Sequence, residues 1–116
     1  MTSEGRVAPQ KWEVWHARFD FDRHGYKYRP VIIVGVRDDG SLAMMVTSST
    51  NKLHLEHDYL LQDWQQAGID KPSIARADRI AEIPASYLGS AGRIGELSER
   101  DRAAISVILN EVVGEA

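Results

Sequence analysis

Cysteine is absent from this 116-residue chain. That excludes disulfide staples and thiolate metal ligands, and leaves a reducing cytoplasm as the simplest expected location. Long apolar runs are missing as well. No stretch approaches the roughly 20 residues that a membrane span requires, and Met1 to Arg6 carries no signal-peptide core, so no membrane attachment is expected. Nor is there a surplus of positive charge. The formal net charge is -3, which runs against the basic face usual in nucleic-acid binders. That total hides a gradient: residues 1 to 37 hold seven Lys/Arg against four Asp/Glu, and residues 38 to 116 hold seven against thirteen. A local positive patch in the first third of the chain is therefore compatible with the acidic whole.

What is present is ordinary for one globular domain: 43% hydrophobic and 27% charged residues,. A chain of this size buries roughly two-thirds of its unfolded surface, enough for a core without a metal. Neither internal repeats nor low-complexity tracts appear. Residues 1–10 read as a polar arm, and residues 11–116 as a single domain.

Branched and aromatic residues predict strands at Trp12 to Phe19, Val31 to Val36 and Leu42 to Ser48. The last two are joined at Asp38-Asp39-Gly40, the strongest hairpin signal in the chain. Asp58 to Trp64 is a further strand candidate, and the first half of Ser73 to Ile83 alternates as a strand does. Between them, Ala67-Gly68-Ile69-Asp70-Lys71-Pro72 is turn chemistry, with Gly68 free to adopt positive φ. Ser86 to Leu97 is expected to hold a short helical turn. Ser98-Glu99-Arg100-Asp101 resembles a capping box, and Ile105, Ile108, Leu109 and Val112 form an apolar stripe, so residues 98–113 are expected to be a helix packed on the sheet. Several strands followed by one helix predict a mainly β fold, a small, partly open barrel.

The hairpin also suggests a site. It places Arg29 at the entrance of one strand and the hydroxyls of Thr47, Ser48 and Ser49 at the exit of the next, hence at one end of the sheet. A guanidinium fork suits phosphate, and hydroxyls orient its oxygens. The loop from Asp20 to Tyr28 mixes charge, glycine and aromatics. His24, Lys27 and Tyr28 therefore join Ser48 and Ser49 as expected substrate contacts.

Taken in order, Tyr28-Arg29-Pro30-Val31-Ile32-Ile33-Val34, Val46-Thr47-Ser48, Asp63 to Arg76 and Gly92 to Asp101 resemble the MazF/PemK family of toxin-antitoxin endoribonucleases, over about Trp12 to Leu109. The resemblance implies an SH3-like barrel with a C-terminal helix, a cytoplasmic homodimer and a cognate antitoxin. It also implies an mRNA interferase that cleaves single-stranded RNA without a metal or other cofactor. It casts Arg29 and Thr47 as the central catalytic pair, adds Arg76 and Asp78 from an Arg-x-Asp pattern, and makes His24 the nearest match to an assisting histidine. The chain departs from the family at Lys11-Trp12-Glu13, where a Gly-Asp or Gly-Glu pair is usual, and in a shorter first loop.

Cleavage by an internal 2′-hydroxyl needs a proton acceptor, charge stabilisation at phosphorus and a proton for the departing oxygen. Arg29 suits stabilisation, Thr47 suits orientation, and Asp78, His24 and His16 are alternatives for proton transfer. Plainer roles exist for each group. Arg29 would serve as an edge-strand charge, the hydroxyls as strand-end turn formers, and Arg76 with Asp78 as a surface ion pair on one strand face. His54 and His57 lack a third ligand and read as a solvated loop, and the charged run Glu96 to Arg102 reads as a solvated helix start. At least two of Trp12, Trp15 and Trp64 are expected in the core or an interface. A noncatalytic barrel that binds a protein partner is the rival functional reading.

Overall fold

The computed structural model describes residues 9–21, 25–38, 40–48 and 56–114. Six strands form one antiparallel sheet: β1 (Glu13–Phe21), β2 (Gly25–Arg37), β3 (Gly40–Thr47), β4 (Asp58–Leu60), β5 (Ile74–Pro84) and β6 (Leu88–Glu96). Their order across the sheet is β4-β5-β3-β2-β1-β6, so β4 and β6 are its two edges and the sheet is not closed. A short 3-10 turn (Ala85–Tyr87) leads into β6, and α1 (Glu99–Gly114) follows the sheet. The architecture is mainly β with one C-terminal helix, as the strand and helix signals predict.

Alternation along the strands divides the buried residues into two groups. Val14, Ile32, Met44 and Val46 join Ala75, Ala77 and Ile105 in the larger cluster, onto which Ile108 and Leu109 pack. Trp15, Ala17, Val31, Ile33 and Ala43 form the smaller cluster with Ile83 and Leu88. The predicted apolar stripe of α1 thus finds its surface: Ile105 is fully buried, a change of environment that stabilises the fold by about 2 kcal/mol. Trp15 is buried, while Trp12 and Trp64 are partly buried against the larger cluster.

Several expectations need correction. β5 continues past its predicted half to Pro84, because Ser41, Leu42 and Ala43 offer it partners at Ile83, Glu82 and Ala81. The helical turn expected within Ser86 to Leu97 lies at its start, in the 3-10 turn Ala85–Tyr87, and the segment is otherwise strand; Gly95 fits where β6 approaches another backbone closely. At Gly95 a Cβ would collide with the carbonyl oxygen of Ala67. The predicted strand Asp58 to Trp64 stops at Leu60. β1 and β2 extend to Phe21 and from Gly25, so most of the expected loop between them is strand.

The even alternation along β5 also breaks. Met44 pairs with Ile80, yet the next residue of β3, Met45, pairs with Arg76. Residues 77–79 are therefore an irregular insertion in the ladder. Arg76 and Asp78 cannot be assigned to one face by sequence spacing alone.

Candidate functional site

Strand register assembles one end of the sheet. Val31 pairs with Met45, and continuing that antiparallel register by two residues sets Arg29 opposite Thr47. Pro30 lies between and has no N–H to extend the ladder. Thr47 in turn pairs with Ile74, and Ile74 with Leu60. The adjacent row on the same face runs Trp15, Val31, Met45, Arg76, Asp58. Arg76 is thus a diagonal neighbour of Thr47, two positions along the strand. Its guanidinium lies 4.0 Å from the buried carboxylate of Asp58. Asp58, then, is the acidic neighbour of Arg76 in the fold, whereas Asp78 is exposed on the irregular stretch beyond it.

Two adjoining hollows open at this end. One, of about 180 Å³, is lined by Arg29, Pro30, Val46 and Ser48 on the sheet side and by Ile69, Asp70, Lys71 and Ser73 on the other. The second, of about 170 Å³, lies between His16, Pro30 and Ile94 and the segment Gly68, Ile69, Asp70. Pro30, Ile69 and Asp70 belong to both, so the two form a continuous trough. Arg29, Ser48, His16, Asp70 and Lys71 are all exposed.

The far wall of the trough is a loop that its own hydrogen bonds hold rigid. The amide of Ala67 donates to the Asp63 carbonyl, that of Gly68 to Gln65, and that of Ile69 to Trp64, at 3.0 to 3.1 Å. The last two bonds, with Gly68 at φ +90°, make a Schellman-type stop to a single helical turn. A side chain at Gly68 would sit 2.5 Å from the Ile94 carbonyl. The turn is therefore pressed directly against β6, which turns Ile69, Asp70 and Lys71 towards the strand ends.

The start of α1 anchors the same loop. Asp101, fully buried, accepts hydrogen bonds from the Tyr59 hydroxyl at 2.6 Å and from the Gln62 and Asp63 amides at 3.1 and 2.9 Å. The Ser98 hydroxyl accepts from the Asp101 amide at 3.2 Å and donates to Asp63 at 2.6 Å. Arg100 grips both oxygens of Asp63, at 2.7 and 3.1 Å. Half of the predicted capping box is realised, the serine bond to the third residue on. The acidic side chain instead reaches across to the loop, so within a charged run whose Glu96, Glu99 and Arg100 are exposed as expected, Asp101 is a buried joint.

Environment follows from these bonds. Arg100 and Ser98 hold the Asp63 carboxyl below its usual range. Burial, then the hydrogen bond to Asp101, pushes the Tyr59 phenol well above its ordinary value. At the other edge burial alone would raise Glu13, yet hydrogen bonds from Arg93 at 2.8 Å, Trp15 at 2.9 Å and the Gln10 amide at 2.8 Å leave it lowered. That cluster ties β1 to β6 beside Ile94.

Of the residues singled out from sequence, Arg29 and Ser48 line the trough, whereas Thr47 is not among its lining residues; alternation puts it on the face of Met45 and Arg76,. Tyr28 is about half exposed on β2, and Lys27 lies one residue earlier on that strand. His24 and Ser49 fall outside the described residues. Asp70, Lys71 and Ser73 were not marked as site residues, because Gly68 to Pro72 carries a turn signal strong enough to account for every residue in it.

An open antiparallel sheet, one C-terminal helix and a trough at the strand ends lined by Arg29, Asp70 and Lys71 define the class of small β protein to which this fold belongs. The family described as PemK-like, MazF-like toxin of type II toxin-antitoxin system matches residues 10–113. The chain belongs to that family. No curated protein sequence matches it. Among solved structures it is similar to an endoribonuclease in complex with its cognate antitoxin from Mycobacterial species, with a TM-score of 0.70 and 18% identity over 92% of this chain and 96% of that one. It is also similar to the Mycobacterium tuberculosis toxin MazF-mt6, with a TM-score of 0.67 and 20% identity over 88% and 96%. A MazE-MazF structure from Deinococcus radiodurans gives 0.69 and 15% identity over 93% and 97%. At these identities the likeness is one of fold.

Proposed function

We propose that the chain is the toxin of a type II toxin-antitoxin pair, a cytoplasmic, metal-independent endoribonuclease that cuts single-stranded RNA by attack of a ribose 2′-hydroxyl. The observation that carries this reading is the trough in which Arg29 and Ser48 share one hollow. Family membership supports it independently. A cognate antitoxin that blocks the trough, and a homodimer that joins two such sites, belong to the same proposal.

In this mechanism Arg29 stabilises charge on the pentacovalent phosphorus, and Thr47 with Ser48 orients its oxygens. Arg76, on the same sheet face as Thr47, supplies further positive charge. Two groups are candidates to take the proton of the 2′-hydroxyl: Asp78, from the family pattern, and His16, from its place in the adjoining hollow,. Substituting each separately and measuring single-turnover cleavage identifies the acceptor as the one whose loss slows chemistry without weakening RNA binding.

The deciding experiment is incubation of the purified chain with single-stranded RNA in chelator, followed by analysis of the product ends. A 2′,3′-cyclic phosphate beside a 5′-hydroxyl is expected, and deoxyribose at the cut site should stop the reaction. Intact RNA under all conditions would instead favour a noncatalytic relative that acts by binding protein.

A further inference from the structure

The two ends of the trough differ chemically. At one end stand Arg29, Lys71 and Ser48, groups that suit a phosphate,. At the other, Pro30, Ile69 and Ile94 make an apolar surface with His16 at its margin, where a flat base can lie against side chains. Asp70 stands at the junction and borders both hollows. It is exposed, and among the described residues no hydrogen bond or ion pair engages its carboxylate, although Arg29 and Lys71 line the same hollow. A negative charge at the middle of a phosphate-binding trough weakens binding unless the ligand brings it hydrogen-bond donors.

Building on the nuclease reading, we propose that Asp70 selects the base next to the cleaved phosphate by accepting the Watson–Crick donors of guanine. A carboxylate only accepts, and it offers two oxygens side by side. Guanine presents two adjacent donors, the ring N1–H and the exocyclic amine, which match both oxygens at once. Cytosine, adenine and uracil each present a single donor next to an acceptor on that edge, so one carboxylate oxygen would face a lone pair. Sequence-specific RNA recognition generally reads unstacked bases along this edge. Lys71, one residue on, then serves the phosphate and carries no base preference. The rigid turn behind Asp70, closed at Gly68 against β6, fixes the distance between the carboxylate and Arg29.

The test is cleavage of a single-stranded RNA pool randomised through its centre, with cut sites read by sequencing, for wild type, Asp70→Ala, Asp70→Asn and Lys71→Ala. Wild type should show guanine enriched at one position beside the cut. Both Asp70 variants should continue to cut while that enrichment falls about tenfold or more, and Lys71→Ala should slow all sites alike and keep it. Asp70 is exposed, so unchanged thermal melting is expected and confirms that the fold is intact. Cleavage by wild type without guanine enrichment, or enrichment that survives in Asp70→Ala, overturns the Asp70 assignment and leaves the nuclease reading standing. Absence of cleavage by wild type overturns both.

Discussion

The Tyr59 hydroxyl and the Asp101 carboxylate, 42 residues apart in sequence, meet at 2.6 Å and join the edge strand β4 to the first turn of α1. The same carboxylate holds the Gln62 and Asp63 amides, from which the chain proceeds to the trough wall. The helix start thus determines where Asp70 and Lys71 stand, although it lines neither hollow.

Replacing Asp101 by Ala should destabilise the protein by about 3 kcal/mol, since it strands buried donors that an apolar side chain cannot satisfy. Urea unfolding of Asp101→Ala should show the loss as a lower midpoint. Tyr59→Phe should cost less, because only one of the donors is removed.

Alkaline titration provides a second check on this joint. The raised phenol of Tyr59 favours the neutral form in the folded state, so its contribution is complete below pH 10.0, the ordinary tyrosine value, and declines as pH rises beyond it,. The stability difference between wild type and Tyr59→Phe should therefore be constant below pH 10.0 and shrink above it.

Asp63 responds in the opposite direction. Its lowered value means that its contribution is present above 3.8, the ordinary carboxyl value, and is lost as pH falls through the lowered one,. Arg100→Gln should narrow the stability gap to wild type on acidification below pH 3.8. A carboxyl-carbon NMR titration of Asp63 should show its midpoint move upward in that variant.

Arg29→Ala should lower the cleavage rate by about 100-fold to 1000-fold, the loss expected for one donor that stabilises transition-state charge. Its circular dichroism and melting temperature should match wild type, because the residue is exposed. Equal single-turnover rates for the two proteins would remove Arg29 from the mechanism.

Gly95→Ala should separate scaffold from chemistry. A Cβ there collides with the Ala67 carbonyl, so the turn must withdraw from β6. The expected result is a loss of about 2 kcal/mol or more, with weaker RNA binding although no trough side chain has changed.

Much of this was readable along the chain. The pairing of β2 with β3, the stripe of α1 and the turn at Gly68 rest on local rules of spacing and φ, and each element stands where those rules put it, to within a few residues; Asp39 itself lies outside the described residues. β6 was misjudged because its glycines mimic turn signals, when at Gly95 the glycine instead admits the backbone of a remote turn. Asp101 was read as solvated because local sequence shows its charge and not its partners, which lie 38 to 42 residues away.

The sequence by itself determined a mainly β protein with a packed C-terminal helix, and it raised the expectation that Arg29, Thr47 and Ser48 stand at one end of the sheet, since a hairpin sets antiparallel strand ends side by side. Only the tertiary structure decided that Asp58 faces Arg76, that an irregularity in β5 breaks its alternation before Asp78, and that the loop bearing Asp70 and Lys71 closes the trough. The physical reason is range. Turn chemistry and periodicity act over a few residues, while the register of β5 and the docking of the Gly68 turn are set by contacts between segments far apart in the chain.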